Sequence, residues 1–299
     1  LATSLLVTVA YSAAFLQGPE SLRLIKNLPA ASSTRIAPRA VALKMTYGGS
    51  HLSAAQKEAL TKTAQAISQP GKGITATDEG PGTVGDRFEK VGIVNTEENR
   101  RLYRQMLYSV PNGPQYLCGA ILDPETVFQK NDDGVPFPEM LSQRGIVPGV
   151  KPHLKIYQLP GCAPGETVMQ GLDSLAVRCR EYYNAGCRFA KWRSPLVITH
   201  GGISDLAIRT NMDDLARYAL ICQSEGLMPI VEPDISMSGD HDLETAVEVT
   251  VRVQSHLFKS MLDHGVLLEG ATLKPSMVAP GRACRTPYTV EQIAEANVR

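Results

Sequence analysis

The sequence has no excess of charge, because its 30 basic and 30 acidic residues leave a formal net charge of zero. A chain without a basic excess has no bulk electrostatic attraction for nucleic acid or for an anionic membrane surface, and we expect neither as a partner. Because the net charge is zero, any anionic ligand must be bound by local groups of charges.

The six cysteines include no CxxC pair, which favours reduced, buried thiols in a reducing compartment.

Acidic residues are scarce near the start of the chain, where Glu20 is the sole one in the first 56 residues. Residues 5–16 are apolar, are too few to span a membrane and end in small residues, which is typical of a signal peptide cleaved near Ala14. The Ser-, Ala- and Arg-containing residues that follow resemble a transit peptide. We therefore predict that residues 1–45 are a disordered, two-part plastid leader of the kind found in algae with secondary plastids. We expect a stromal location; a poorly ordered tail on a cytoplasmic protein is the alternative.

Beyond this leader, short apolar runs alternate with longer segments of helical periodicity. The apolar runs predict strands at residues 73–78, 118–123, 146–151, 188–192, 227–232 and 266–274. The periodic segments predict helices at residues 52–68, 96–110, 165–185, 203–225 and 243–264. This alternation implies parallel strands joined by helical crossovers. The chain starts with Leu1 rather than Met and ends in a segment of helical character, so we expect it to be incomplete at both ends.

Five ionisable residues at or next to the ends of these apolar runs are candidate site residues: Asp78, Lys151, Lys191, Glu232 and Lys274. The last four recur at intervals of about forty residues, the length of one strand-plus-helix unit. A doubly wound sheet and a (β/α)8 barrel both fit the alternation. A flat sheet would spread these strand ends over about 20 Å at roughly 4.8 Å per strand, whereas a closed barrel brings them together. We therefore predict an α/β protein whose residues 46–299 form a (β/α)8 TIM barrel cut after about six βα units.

The two lysines nearest the end of this series suggest covalent chemistry. Two ammonium groups in one barrel mouth repel each other, and this repulsion, together with partial desolvation, lowers the pKa of one of them. A neutral amine attacks a ketone and forms an iminium, which acts as an electron sink. Lys274 is the candidate nucleophile, because it follows an apolar run and precedes a proline. Glu232 and Asp78 would transfer the protons that such a reaction requires.

Five segments resemble the class I fructose-bisphosphate aldolases. They are NTEENRR at 95–101, DDGVPFP at 132–138, FAKWR at 189–193, PIVEPD at 229–234 and LLEGATLKP at 267–275. The resemblance extends from about residue 47 to residue 299, and the segments occur in the order that the family has. It implies a TIM-barrel lyase, a homotetramer when full length, that needs neither a metal nor another cofactor.

The resemblance also implies the reaction and the residues that perform it. Fructose 1,6-bisphosphate would be cleaved reversibly to dihydroxyacetone phosphate and glyceraldehyde 3-phosphate through a Schiff base, and a plastid location would favour condensation for carbon fixation. The catalytic residues would be Lys274, Glu232, Asp78 and Lys191. The substrate-binding residues would be Lys151, Arg193, Arg87, Asp234 and Thr83.

The sequence departs from the family pattern in three places. Asp234 stands where many relatives have Glu, and GPGT at residues 80–83 replaces a Ser-rich stretch that helps to hold a phosphate. Backbone N–H groups and Thr83 could still hold that phosphate. The third departure is that strands seven and eight, their phosphate-binding loop and arginine, and the C-terminal tail with its tyrosine have no counterpart in these residues.

Three other hypotheses compete with this one. A metal-dependent aldolase would need clustered histidines and carboxylates, for which residues 240–242 are the best candidates, although they also suit the start of a helix. A transaldolase or a deoxyribose-phosphate aldolase would share the imine chemistry but not the matching segments. A non-catalytic scaffold or an inactive fragment would leave the convergence of lysines and carboxylates without a purpose.

Overall fold

A computed structural model describes residues 48–199 and 202–299. Its strands in these ranges are β1 (Gly73–Thr77), β2 (Leu117–Leu122), β3 (Val147–Val150), β4 (Ile156–Gln158), β5 (Thr167–Met169), β6 (Phe189–Leu196), β7 (Met228–Ile235) and β8 (Thr272–Leu273). Six of them form one parallel sheet in the order β1-β2-β3-β6-β7-β8, and β4 and β5 form an antiparallel hairpin. The predicted leader, residues 1–45, lies outside the described residues and stays a prediction.

Helices connect the parallel strands and cover the sheet. They are α1 (Ala54–Ala66), α2 (Pro81–Glu89), α3 (Glu97–Tyr108), α4 (Gly113–Tyr116), α5 (Pro124–Val127), α6 (Phe137–Gln143), α7 (Leu175–Asn184), α8 (Asp205–Ser224), α9 (Leu243–Asp263) and α10 (Val290–Val298). Asp242 caps α9 by accepting a hydrogen bond from the Thr245 N–H, and Gly226, at φ +85°, follows the end of α8. These residues confirm the predicted start of α9 and the predicted end of α8. None of these helices, all within the described ranges, has the length and apolar composition that a membrane crossing needs.

The sheet has an apolar core on each face. On one face, Leu60 and Ile67 of α1 pack with Ile121, Phe189 and Ile230 of the strands. The other face belongs to a larger cluster that includes buried residues of β6, α8 and α9, and the largest side chain in it is Trp192. All six cysteines lie in the described ranges and are free thiols, and four of them are buried. This arrangement confirms an α/β class with parallel strands, as the alternation predicts.

The predicted helix at residues 165–185 is wrong in its first half. Residues Thr167–Met169 form β5, which pairs with β4, and α7 begins only at Leu175. Gly165 and Gly171 have φ values of +91° and +123°, which favour turns over helix. The short β4 run is exposed along its length, so no apolar pattern in the sequence predicts it.

Three predicted strands have different limits in the structure. The run at residues 266–274 contains a two-residue strand, Thr272–Leu273, because Leu268–Gly270 form a 3₁₀ turn against α1. In contrast, β6 and β7 continue past Lys191 and Glu232, which therefore lie inside their strands rather than at their ends. Within the described residues, β1 and β8 each pair on one side only, so the sheet is an open half-barrel of six strands.

Close packing between β3 and β6 generates a first prediction. A Cβ atom built on Gly149 would lie 2.3 to 2.5 Å from ring atoms of Phe189, which is buried and surrounded. We expect Gly149→Ala to lower the free energy of unfolding by about 2 kcal/mol, because an overpacked core must shift. Urea denaturation would measure this change. Gly73→Ala is the matched control, because Gly73 is also in a strand and has no heavy atom within 4 Å of the added carbon. Equal losses in both variants would contradict the packing argument.

Candidate active site

Six ionisable side chains form a chain of alternating charge near the carboxyl ends of the parallel strands. Lys151 is linked to Asp78 through the backbone carbonyl of Asp78, and the other links join side chains. Each strand of the sheet contributes one residue, from within the strand or directly after it: Asp78, Asp123, Lys151, Lys191, Glu232 and Lys274. Parallel strands align their carboxyl ends at one edge of the sheet, so side chains from strands far apart in sequence meet there. The structure thus brings together the five residues that the sequence predicts, and adds Asp123.

The centre of this charge chain is the Lys191 ammonium group. Its Nζ atom lies 2.9 Å from Asp78 Oδ2 and donates a hydrogen bond to it. The same atom lies 3.2 Å from Glu232 Oε2, an ion-pair distance. The other oxygen of Glu232, Oε1, accepts a hydrogen bond from Lys274 Nζ. Glu232 therefore lies between two ammonium groups, and its carboxylate offsets the repulsion that the sequence predicts between the two lysines.

Burial and pairing fix the charge states of the central groups. Burial alone would lower the pKa of the Lys191 amine, but Asp78 and Glu232 outweigh it and raise this pKa. Burial alone would raise the pKa of Asp78, yet Lys191 and then Lys151 outweigh it and lower this pKa. Both groups are therefore ionised at neutral pH. The Lys191 side chain is 8% exposed and that of Lys274 is 46% exposed, so Lys274 is the one of these two lysines that a ligand can reach.

A second tier of polar residues lies two positions further along the chain than Lys191, Glu232 and Lys274, within β6 and β7 and three residues after the end of β8. Arg193 donates to Asp234 Oδ2 from Nε at 2.6 Å and pairs with it through Nη2 at 2.5 Å. The other oxygen of Asp234 accepts a hydrogen bond from Ser276 Oγ at 3.1 Å. Alternate residues of a strand point to the same face, so this tier lies on the side of Lys191, Glu232 and Lys274. Ser276 is not among the residues predicted from the sequence, although its position two residues after Lys274 could have identified it.

The last two predicted residues lie on α2. Arg87 pairs with Glu79 at 2.6 Å, and Glu79, which also binds Arg104 at 3.0 Å, directly follows Asp78. Thr83 is exposed in the first turn of α2, where Gly80 is the N-cap residue. The structure therefore places GPGT, residues 80–83, at a helix N-terminus beside the charge chain, where free N–H groups can bind an anion.

Residues 240–242, the candidate metal ligands, serve the start of α9. Asp242 is its cap, and the first turn also holds the acidic Glu244. Among residues 48–199 and 202–299, no three His, Cys, Asp or Glu side chains are grouped so that they could hold a metal ion. The helix-start alternative that the sequence left open is confirmed for Asp242.

An open parallel α/β half-barrel whose charged groups are gathered towards the carboxyl ends of the strands is typical of α/β enzymes. Comparison with known families then identifies the kind of enzyme. The family model for "Fructose-bisphosphate aldolase class-I" matches residues 59–299. The chain belongs to this family, and it is a class I fructose-bisphosphate aldolase.

Curated relatives and a solved structure support this assignment. The chain is 50% identical over 249 residues to the fructose-bisphosphate aldolase of Echinococcus multilocularis, covering 83% of this chain and 68% of that protein. It is 48% identical over 248 residues to human fructose-bisphosphate aldolase C, with coverages of 83% and 68%. A co-crystal structure of the Plasmodium falciparum aldolase superposes with a TM-score of 0.81 at 46% identity, covering 83% of this chain and 72% of that one.

A half-buried histidine beside this site, His153, has two buried ring nitrogens and generates a second prediction. Burial first, and then the charges of Lys151 and Lys191, lower the pKa of His153 to about 3. Because an unfolded histidine has a pKa of about 6.5, the unfolded chain takes up this proton first, and the free energy of unfolding falls as the pH falls from about 6.5 towards 3. Between pH 7 and pH 5, we expect the free energy of unfolding of the wild type to fall by up to about 2 kcal/mol more than that of His153→Gln.

Urea denaturation at the two pH values would measure this difference. Asp214, whose pKa burial raises to about 6, contributes stability in the opposite direction, so only the difference between variant and wild type isolates His153. His51→Gln is the matched control, since His51 is exposed. The prediction fails if the wild type and His153→Gln lose the same stability on acidification.

Proposed function

We propose that this protein cleaves fructose 1,6-bisphosphate reversibly to dihydroxyacetone phosphate and glyceraldehyde 3-phosphate through an imine on Lys274. The observation that carries the proposal is the exposed ammonium group of Lys274 bonded to Glu232, at the open end of an otherwise buried chain of charges. A nucleophilic amine needs a proton acceptor within hydrogen-bond reach, and Glu232 is that acceptor. We also infer that the six parallel strands form part of a (β/α)8 barrel.

The contacts of each group suggest its part in the reaction. Glu232 takes a proton from Lys274, the free amine attacks the substrate ketone, and the carbinolamine loses water with a proton returned from Glu232. The resulting iminium accepts the electron pair of the C3–C4 bond, while a carboxylate, Asp78, takes the proton of the C4 hydroxyl. Glyceraldehyde 3-phosphate leaves, and protonation and hydrolysis of the enamine release dihydroxyacetone phosphate and restore the amine. Lys191, which stays charged, lowers the pKa of Asp78 and holds both Asp78 and Glu232 in position.

The basic groups around this centre suit the phosphorylated ends of the substrate. Arg193 is half exposed and can exchange its partner Asp234 for a phosphate, because a guanidinium group binds both kinds of anion with paired hydrogen bonds. Lys151 lies at the first turn of α2, close to Gly80. Arg87 and Thr83 lie further along the same helix and would serve a second phosphate.

Trapping of the imine tests the nucleophile. Borohydride reduces an imine to a stable secondary amine, so wild-type protein treated with dihydroxyacetone phosphate and borohydride should gain the mass of the reduced adduct on Lys274. We expect Lys274→Met to lose this adduct and at least about 10³-fold in turnover. Peptide mass spectrometry identifies the modified lysine. Lys259→Met, which changes a lysine on the exposed side of α9, should trap like the wild type. An adduct that persists in Lys274→Met would contradict the assignment of Lys274 as the nucleophile. Loss of wild-type activity in a chelator would contradict a reaction that needs no metal.

The rate of trapping tests the proton acceptor. We expect Glu232→Gln to slow imine formation about 10²- to 10⁴-fold, because an amide cannot take the proton of Lys274. Single-turnover trapping with dihydroxyacetone phosphate measures this step without the rest of the cycle. Glu225→Gln is the control, since Glu225 pairs with Arg180 at 2.9 Å between α7 and α8. Equal rates of trapping in Glu232→Gln and wild type would remove Glu232 from the mechanism.

A further inference from the structure

Asp123 is the member of the charge chain to which neither the family resemblance nor the mechanism gives a role. It follows β2, is buried, and uses its two oxygens for different partners. Oδ1 caps α5 by accepting a hydrogen bond from the Glu125 N–H at 3.0 Å. Oδ2 accepts a hydrogen bond from Lys151 Nζ at 3.1 Å. A helix cap alone would need only the first of these contacts.

Strand register explains why Asp123 and Lys151 meet. Leu122 of β2 pairs with Val150 of β3, and the Lys151 N–H continues this ladder by donating to the Leu122 carbonyl at 3.0 Å. Asp123 and Lys151 are thus the next residues on two adjacent parallel strands, and their side chains stand side by side. The ion pair is therefore set by the sheet itself rather than by a loop.

The Lys151 ammonium group is largely occupied by the protein. Besides Asp123, it donates a hydrogen bond to the backbone carbonyl of Asp78. An ammonium group has three hydrogens, so one remains for a ligand. A Cβ atom on Gly80, the N-cap residue of α2, would lie 3.8 Å from Asp123 Oδ2 and 4.0 Å from Lys151 Nζ. The carboxylate of Asp123 therefore stands where Lys151 and the positive end of α2 would together attract an anion.

We propose that Asp123 is an internal counter-ion that competes with the substrate phosphate for Lys151 and so sets how strongly the site favours phosphorylated sugars. This inference rests on the proposed function, in which Lys151 binds a phosphate. With Asp123 present, the Lys151 charge is already compensated, and a phosphate gains less by approaching it. Asp123 contacts none of Lys191, Glu232 and Lys274 in the described structure, so it is a specificity-determining residue rather than a catalytic one.

Neutral replacements that keep the helix cap test the counter-ion role. Asn and Ser cap helices about as well as Asp, so Asp123→Asn and Asp123→Ser should retain α5 while removing the charge. We expect both variants to bind inorganic phosphate roughly tenfold more tightly than the wild type, as measured by calorimetric titration. The KM for fructose 1,6-bisphosphate should fall in parallel, whereas kcat should change less than about threefold.

Three further variants separate charge from shape. Asp123→Glu keeps the charge and should bind phosphate with nearly wild-type affinity. Glu125→Gln removes an equal charge from the same helix, but Glu125 pairs with Arg100 at 2.6 Å, so phosphate affinity should stay at the wild-type value. Adding Lys151→Met to Asp123→Asn should abolish the gain, because the phosphate then loses the group that Asp123 occupied.

Phosphate affinity that is unchanged or weaker in both Asp123→Asn and Asp123→Ser would overturn the proposal, as would a gain that survives Lys151→Met. Thermal melting, monitored by circular dichroism, identifies a variant that has not folded. If one neutral variant has not folded, the phosphate affinity of the other one tests the proposal. Phosphate titration requires no turnover, so it remains decisive even if trapping at Lys274 fails and the aldol mechanism is abandoned. Conversely, imine trapping at Lys274 can succeed in the wild type while the Asp123 variants bind phosphate with wild-type affinity. That result would refute the counter-ion role and leave the mechanism intact.

Discussion

The candidate site depends on the buried carboxylate of Glu232, whose two oxygens face two ammonium groups. Taking an ion out of water costs several kcal/mol, and breaking a buried pair by removing one partner typically costs about 3 to 5 kcal/mol. Lys191 tolerates its burial because carboxylates from β7 and from the end of β1 compensate its charge. Lys191 lowers the pKa of Asp78, and Asp78 and Glu232 raise the pKa of Lys191. The charges form one cooperative unit rather than a set of separate catalytic residues.

The backbone holds the members of this unit to different degrees. Lys191 and Glu232 lie inside β6 and β7, where ladder pairing continues on both sides of them. Lys274 follows a strand of two residues and joins the ladder through its N–H bond to the Val231 carbonyl at 2.9 Å. The residues that set the charge are thus on the best-supported strands, and the proposed nucleophile is at the accessible edge. A site with a rigid supporting shell keeps its reactive group in a productive geometry.

The sequence predicts the convergence of the site but not its pairings. Four residues at the ends of apolar runs, Lys151, Lys191, Glu232 and Lys274, recur with the length of a βα unit. Asp78 ends an earlier run and joins them because parallel strands end at one edge. Which oxygen meets which nitrogen depends on register, as between Leu122 and Val150, and register is a property of the folded sheet. Asp123 also ended a predicted strand, yet without that register it had no evident partner. The β4–β5 hairpin is not predicted from the sequence, because its first strand is exposed and shows no alternation of apolar and polar residues.

Trp192 is the single tryptophan of the chain, and its position beside the site has a practical consequence. Its indole is fully buried, with its centroid 5.2 Å from the Tyr218 ring and 5.8 Å from the His153 ring, and it directly follows Lys191 in β6. The tryptophan emission of the protein therefore comes from one ring on the reverse side of the strand that holds the central ammonium group. A change in protonation or packing there should appear in the intrinsic fluorescence spectrum, so the molecule contains its own optical reporter, without an attached dye.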